Sequence, residues 1–116
     1  MHFFQYRSGE LYAEEVPVKT LAEQYGTPLY VYSHNTLLRH FMAYENAFDG
    51  YPHIICFAVK SNPNTAIIRL FAKHGGGADI VSGGELHAAL KAGIPSRKIV
   101  YAGVGKTEDE IRFALK

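Results

Sequence analysis

One candidate for a reactive side chain in this 116-residue chain is a lysine at the end of an apolar stretch. Residues 53–59 have the sequence HIICFAV, and Lys60 follows them directly. An apolar stretch of this kind is typical of a strand in a parallel sheet that is covered on both faces. Active sites of such folds lie at the carboxyl ends of the strands. Partial burial there would favour a neutral amine that can form a Schiff base, and an ordinary surface lysine is the alternative.

Two carboxylates follow further along the chain. Asp79 lies inside the apolar stretch 78–81, where an unpaired charge is costly to bury. We expect either a cation or polar cofactor group beside it, or bonds from neighbouring backbone amides. Glu85 stands three residues after Ser82 in the pattern S-x-x-E, so it either caps the next helix or supports a site. The amides of residues 82–84 could bind an anion, although such glycines more often allow close packing of helix and strand.

A nucleotide site is not predicted at residues 103–107, which have the sequence GVGKT. The P-loop pattern G-x-x-x-x-G-K-[ST] requires a glycine five residues before Gly105, and that position is Val100. The 6 histidines and the single cysteine, Cys56, lack the spacing of zinc ligands. We therefore expect neither a nucleotide nor a metal ion.

Alternating strand and helix patterns from Val18 onward would position these residues. Strands are predicted at 28–32, 53–59, 78–81 and 98–102. The helices are predicted from apolar periodicity and from their start and stop residues. The first helix is 18–25 and ends at Gly26, and the second begins after the N-cap Ser33 and ends before Gly50. The third has Asn62 as N-cap and Pro63 as first residue, and it ends at 75–77. The last two begin at capping boxes, one at Ser82–Glu85 that leads to a helix ending at Gly93, and one at Thr107–Glu110.

Four successive βα units imply right-handed crossovers and a parallel sheet. Two architectures accept this series, an open doubly wound sheet or the first half of an eight-fold barrel of about 250 residues. Because the sequence stops within its last predicted helix, we expect the half-barrel.

Residues 1–17 do not belong to this repeat. Apolar and polar residues alternate on both sides of Ser8-Gly9, which predicts a β-hairpin. Two strands alone are marginally stable in water, and residues 18–116 offer no other antiparallel pattern. We expect a longer protein that supplies the missing sheet.

The composition excludes several classes of protein. With 12 Lys+Arg and 11 Asp+Glu, the net charge of +1 argues against a nucleic-acid binder or a polybasic membrane binder. A hydrophobic content of 47% is sufficient for a packed core. The single cysteine indicates a reducing compartment, and no stretch has the length of a membrane span or the form of a signal peptide. We expect a soluble, cytoplasmic protein.

Several segments together carry a family resemblance. FAVKSN at 57–62, GADIVSGGEL at 77–86 and AGVGKT at 102–107 strongly resemble the pyridoxal-phosphate-dependent decarboxylases with an alanine-racemase-like barrel. GELY at 9–12 and YGTPLYVY at 25–32 match as well, so nearly the whole chain is covered. The motif around Lys60 is shared with racemases and with ornithine or arginine decarboxylases, whereas SGGEL combined with GVGKT is more specific.

The resemblance implies an α/β fold. Residues 18–116 would be the first half of a pyridoxal-phosphate-binding (β/α)8 TIM-type barrel, and residues 1–17 a β segment of a separate β domain. Lys60 would be the catalytic residue that carries the cofactor as a Schiff base, Asp79 would be a cofactor-binding residue near it, and Glu85 would support their polar surroundings.

The same resemblance implies a reaction. The branch of the family to which the chain is most similar decarboxylates meso-diaminopimelate to L-lysine and carbon dioxide in lysine biosynthesis, as a homodimer acting on a small amino acid. The family's ring-stacking histidine, phosphate loop, pyridine-nitrogen partner and substrate-gripping residues would come after residue 116, so this segment alone is expected to be inactive. A decarboxylase of another basic amino acid and a non-catalytic pyridoxal-phosphate carrier remain alternatives.

Overall fold

Two sheets of three strands each organise the part of the chain that the structure describes. The structure is a computed structural model, and it describes residues 2–116. Met1, the first residue of the predicted β segment, lies outside these residues. The antiparallel sheet belongs to a unit that extends through Tyr44, and the parallel sheet belongs to the unit Glu45–Lys116.

The antiparallel sheet contains the predicted hairpin and one further strand. Strand β1, Phe4–Arg7, pairs with β2, Glu10–Ala13, across a turn at Ser8 (φ 50°) and Gly9 (φ 84°). Positive φ at both turn residues matches the twist of the strands, as in type I′ hairpins. Strand β3, Val16–Pro17, pairs with β2 and was not predicted, because two residues are too few to form a pattern.

Two helices begin in the first unit. Helix α1, Val18–Tyr25, has the predicted bounds and ends at Gly26, whose φ is 80°. Helix α2, His34–Ala47, begins after the predicted cap Ser33, whose Oγ accepts a hydrogen bond from the Thr36 amide at 3.0 Å. Both helices therefore confirm the local start and stop signals.

Glu14 ties the antiparallel sheet to the start of α2. Its Oε1 accepts hydrogen bonds from Ser33 Oγ at 2.7 Å and from the Asn35 amide at 2.8 Å. Its Oε2 accepts from Asn35 Nδ2 at 3.0 Å. The Asn35 amide and then the Ser33 hydroxyl lower the pKa of the Glu14 carboxyl below its usual value, since both bonds favour the charged form.

The strand predicted at 28–32 is wrong. These residues form no strand, and the side chains of Leu29, Tyr30 and Tyr32 are exposed. A β-branched and aromatic run forms a strand only when another strand supplies hydrogen bonds, and none within residues 2–116 pairs with it. Propensity alone therefore misassigned the segment.

The second unit is a parallel sheet of strands in sequence order. Its strands are β4, Cys56–Ala58, β5, Gly77–Ile80, and β6, Ile99–Tyr101. Helix α3, Thr65–Lys73, connects β4 to β5, and helix α4, Gly83–Ala92, connects β5 to β6. A last helix, α5, is Glu108–Ala114.

The parallel sheet has one face against the helices and one face away from them. Ala78 and Ile80 of β5 are fully buried in a core that includes Leu86 and Ala89 of α4. Helices α3 and α4 also pack against each other, so they cover the same face of the sheet. Since side chains alternate along a strand, Asp79 between Ala78 and Ile80 lies on the opposite face.

Strand β4 is shorter than predicted. Only Cys56–Ala58 of the stretch 53–59 is a strand, and Val59–Ser61 forms a 3-10 turn. Lys60 therefore lies in this turn and does not directly end the strand. The turn is held by a hydrogen bond from the Ser61 hydroxyl to the Ala58 carbonyl at 2.7 Å.

The start of α3 also differs from the prediction. Asn64 caps the helix in place of Asn62, because its Oδ1 accepts from the Ala66 amide at 2.9 Å. Asn62 instead accepts from the Asn64 amide at 3.0 Å, a local turn that competes with helix formation. The predicted first helical residue, Pro63, thus lies before the helix.

The caps of the last two helices follow the sequence more closely. Ser82 Oγ accepts from the Glu85 amide at 3.2 Å, and α4 ends at Gly93 in the left-handed conformation. The reciprocal half of this capping box is absent, because Glu85 bonds to Val81 and not to Ser82. The box of Thr107 and Glu110 at the start of α5 is complete.

Gly77 begins β5 at a position that has no room for a side chain. A Cβ atom there would clash with the Lys98 carbonyl oxygen and lie 2.8 Å from Cys56 Sγ. We predict that Gly77→Ala lowers the free energy of unfolding by about 1–3 kcal/mol, the usual cost of overpacking, as measured by denaturant unfolding. Gly105→Ala is the control, since no atom lies within 4 Å of its Cβ position. Equal losses in both variants would contradict the steric explanation.

Candidate functional site

The three parallel strands end at one edge of their sheet, and the predicted site residues are grouped near it. The ladder pairs Ala58 with Asp79 and Asp79 with Val100, so these three residues form one row across β4, β5 and β6. Lys60 comes two residues after Ala58, and Glu85 lies in the first turn of α4, which follows β5. The parallel register therefore places Lys60, Asp79 and Glu85 on neighbouring βα units.

Lys60 presents its amine to solvent. Its neighbour Val59 is completely buried in the core and anchors the turn, whereas the Lys60 side chain is exposed. Of the two environments that the sequence left open, the exposed side chain agrees with an ordinary surface lysine and not with partial burial, because the chain leaves the strand after Ala58. Within residues 2–116 the amine forms no hydrogen bond or ion pair, which leaves it available to a ligand.

Asp79 has an unsatisfied oxygen. Its Oδ1 is buried and has no hydrogen-bond partner among residues 2–116, so neighbouring amides do not bind it. Leaving a buried acceptor unpaired costs about 1–3 kcal/mol, and such groups in folded proteins call for an explanation. A bound cation or hydrogen-bond donor on the face away from the helices would satisfy this oxygen. This acceptor oxygen thus fits a cofactor that brings a positive charge or an N–H group.

Glu85 holds the backbone that follows β5. Its Oε2 accepts a hydrogen bond from the Val81 amide at 2.8 Å. This contact supports the segment between Asp79 and α4, and it differs from the side-chain half of the capping box, in which Glu85 would bond to the Ser82 amide.

Contacts within the chain occupy two amides at the start of α4. The Gly83 amide donates to Glu110 Oε1 at 2.8 Å, and the Glu85 amide donates to Ser82 Oγ. The chain's own carboxylate thus occupies the position where the sequence allowed an anion to bind. The sequence pattern around Glu110 indicates only a cap of α5, because no local pattern connects residues 27 positions apart.

Lys106 closes the loop after β6. Its Nζ donates to the carbonyl oxygens of Tyr101 at 3.4 Å, Ala102 at 3.2 Å and Gly103 at 2.6 Å. The amine also lies 5.3 Å from the centre of the Tyr101 ring, a cation–π contact. A lysine with these contacts stabilises its own loop, which agrees with the rejection of a P-loop at GVGKT.

Tyr101 lies beneath this loop, near two carboxylates. Its hydroxyl is buried and outside hydrogen-bonding geometry. Burial, followed by the nearby carboxylate of Glu110 and then that of Glu85, raises the pKa of the Tyr101 hydroxyl. The carboxylate that contacts the start of α4 therefore also lies near the Tyr101 hydroxyl.

The parallel βα units, with the predicted site residues near the carboxyl edge of their sheet, agree with a cofactor-binding α/β barrel. The sequence model described as "Pyridoxal-dependent decarboxylase, pyridoxal binding domain" matches residues 34–116, and the chain belongs to this family. Pyridoxal phosphate is accordingly its cofactor.

Individual relatives have more specific names than the family model. The chain is 54% identical over 116 residues to diaminopimelate decarboxylase of Haemophilus influenzae and 51% identical over 117 residues to that of Vibrio cholerae. In both cases it spans only 28% of the relative's length.

Solved structures confirm the fold. A crystal structure from Aquifex aeolicus matches 97% of this chain and 28% of its own chain, with a TM-score of 0.91 and 54% identity. Diaminopimelate decarboxylase from M. jannaschii in co-complex with L-lysine matches 97% of this chain and 27% of its own, with a TM-score of 0.91 and 40% identity. The prediction of an α/β fold with the pyridoxal-phosphate-binding barrel is therefore confirmed. Within residues 2–116, no helix combines the length and apolar character that spanning a bilayer requires.

Proposed function

We propose that this chain contributes part of the active site of a pyridoxal-phosphate-dependent diaminopimelate decarboxylase, which converts meso-diaminopimelate to L-lysine and carbon dioxide. The observation that carries this proposal is 54% identity over the whole chain to an enzyme of that name. Because the chain spans 28% of that relative, the activity belongs to a longer protein that contains these residues.

Lys60 is the proposed attachment point of the cofactor. Its amine is exposed, lacks competing partners among residues 2–116, and stands on a turn anchored by the buried Val59. These features suit a nucleophile that must reach the aldehyde of a ligand and later release it to the amino group of a substrate.

Asp79 and Glu85 have supporting roles in this proposal. The unpaired Asp79 Oδ1 would accept a hydrogen bond from a cationic group beside Lys60. Glu85 would keep the segment after β5 in place through the Val81 amide. When bound, pyridoxal phosphate supplies the electron sink for the electron pair left on the substrate's α-carbon as carbon dioxide departs.

The organisation of the longer protein is part of the same proposal. Residues 1–17 would belong to a separate β domain and residues 18–116 to the first half of the barrel, which is supported by the change from an antiparallel to a parallel sheet. We place the protein in the cytoplasm, as a homodimer that acts on a small amino acid. The single cysteine of the chain, Cys56, agrees with a reducing compartment.

Covalent labelling tests the role of Lys60. Borohydride reduction of the complete, cofactor-loaded protein should fix the cofactor to the peptide that contains Lys60, as detected by mass spectrometry. Lys60→Ala should abolish both the label and the visible absorbance that is characteristic of the Schiff base. Lys91→Ala, an exposed lysine in the last turn of α4, is the matched control and should retain both. A label that persists in Lys60→Ala would refute the assignment.

Asp79→Ala should reduce turnover by more than about tenfold, or about 1.4 kcal/mol of transition-state stabilisation. Since Oδ1 is buried without a partner among residues 2–116, its removal should not lower the melting temperature of the cofactor-free protein. Steady-state kinetics and thermal unfolding measure the two effects separately. Parallel losses of stability and activity would indicate a purely structural role.

The 116-residue chain produced alone should not decarboxylate diaminopimelate. Strands β4 and β6 each have one edge without a partner among residues 2–116, and unpaired edges favour self-association. Size-exclusion chromatography and carbon dioxide release would check this expectation. A monomeric chain that released carbon dioxide faster than free pyridoxal phosphate would contradict it.

A further inference from the structure

Glu110 connects the starts of two helices. Its Oε2 accepts hydrogen bonds from the Thr107 amide at 2.9 Å and from Thr107 Oγ1 at 3.0 Å, which completes the cap of α5. Its Oε1 accepts from the Gly83 amide at 2.8 Å, at the first residue of α4. The cap of α5 uses only Oε2, so the bond from Gly83 to Oε1 is a separate contact between the starts of α4 and α5.

The segment that receives this contact needs external support. Residues 81–84 contain the adjacent glycines Gly83 and Gly84, whose backbone is free to adopt many conformations. The segment is held by carboxylates at two points, Val81 by Glu85 and Gly83 by Glu110. It begins two residues after Asp79.

The local packing and charge agree with a lasting contact. A Cβ atom at Gly83 would lie 3.3 Å from Glu110 Cγ, so the glycine allows the carboxylate to approach closely. The amides of Thr107 and then Gly83 lower the pKa of the Glu110 carboxyl to about 2, because both bond to its charged form. The carboxylate is therefore ionised at neutral pH.

We propose that Glu110 is a positioning residue of the candidate site: it fixes residues 81–84 and, through them, the end of β5 that carries Asp79. This role rests on the proposed function, in which Asp79 and Glu85 serve the cofactor site.

Glu110→Gln in the complete, cofactor-loaded protein is the direct test. The carboxamide has the same length but one acceptor oxygen, so it can serve Thr107 or Gly83 and not both. We expect hydrogen exchange of the Gly83 amide to accelerate by about tenfold. We also expect kcat to fall by about fivefold with KM changed less than about twofold, since the loss is one of geometry and not of a substrate contact.

Two further variants separate the contact from general effects. Glu108→Gln lies in the same turn of α5 and removes an exposed ion pair with Arg112, so Gly83 exchange and kcat should stay at wild-type values. Glu110→Asp keeps the charge near the helix start but shortens the reach toward Gly83. It should also accelerate Gly83 exchange, and it provides a folded variant if the glutamine variant is unstable.

The readouts distinguish this proposal from the proposed function. Faster Gly83 exchange with an altered absorbance of the bound cofactor supports positioning by Glu110 even if diaminopimelate is not a substrate. If diaminopimelate is turned over but Glu110→Gln and Glu110→Asp match Glu108→Gln in exchange, absorbance and kcat, the positioning role is overturned while the proposed function stands.

Discussion

The parallel hydrogen-bond register of β4, β5 and β6 is the constraint on which the site depends. It aligns Ala58, Asp79 and Val100 in one row and brings the following loops to one edge of the sheet. Alternation along β5 then directs Ala78 and Ile80 into the helix-packed core and leaves Asp79 on the other face. A shift of one residue would exchange these faces, burying the carboxylate among apolar side chains.

The carboxylates of the chain are used in two different ways. Glu14, Glu85 and Glu110 each accept hydrogen bonds from backbone amides at or near a helix start, where the helix dipole also favours negative charge. The contacts of Glu14 and Glu110 join segments that are distant in sequence, so the local backbone geometry there depends on tertiary structure, whereas the contact of Glu85 is local. Asp79 differs, since its Oδ1 is buried without a partner among residues 2–116. An oxygen left unsatisfied by the chain itself is the feature that connects this fold to ligand binding.

Local signals explain which elements were predicted correctly. Helix α1 and the caps Ser33, Ser82 and Thr107 agree with the structure because a cap is a contact between residues two or three positions apart. The segments 28–32 and 53–55 were predicted as strand from composition, yet a strand exists only through a partner that composition does not specify. The displaced start of α3 has a local cause, the turn formed by Asn62, which imitates a helix cap two residues too early.

The sequence by itself determined the family, the helical periodicity and the placement of Lys60 after one strand and of Asp79 and Glu85 on the next βα unit, since these follow from motifs and from short-range contacts. Tertiary structure decided the rest: the exposure of Lys60 in a turn, the unpaired oxygen of Asp79 and the contact of Glu110 with Gly83. Burial and hydrogen bonding at these positions depend on which distant segments the sheet register brings together, and no pattern within a short stretch of sequence contains that information.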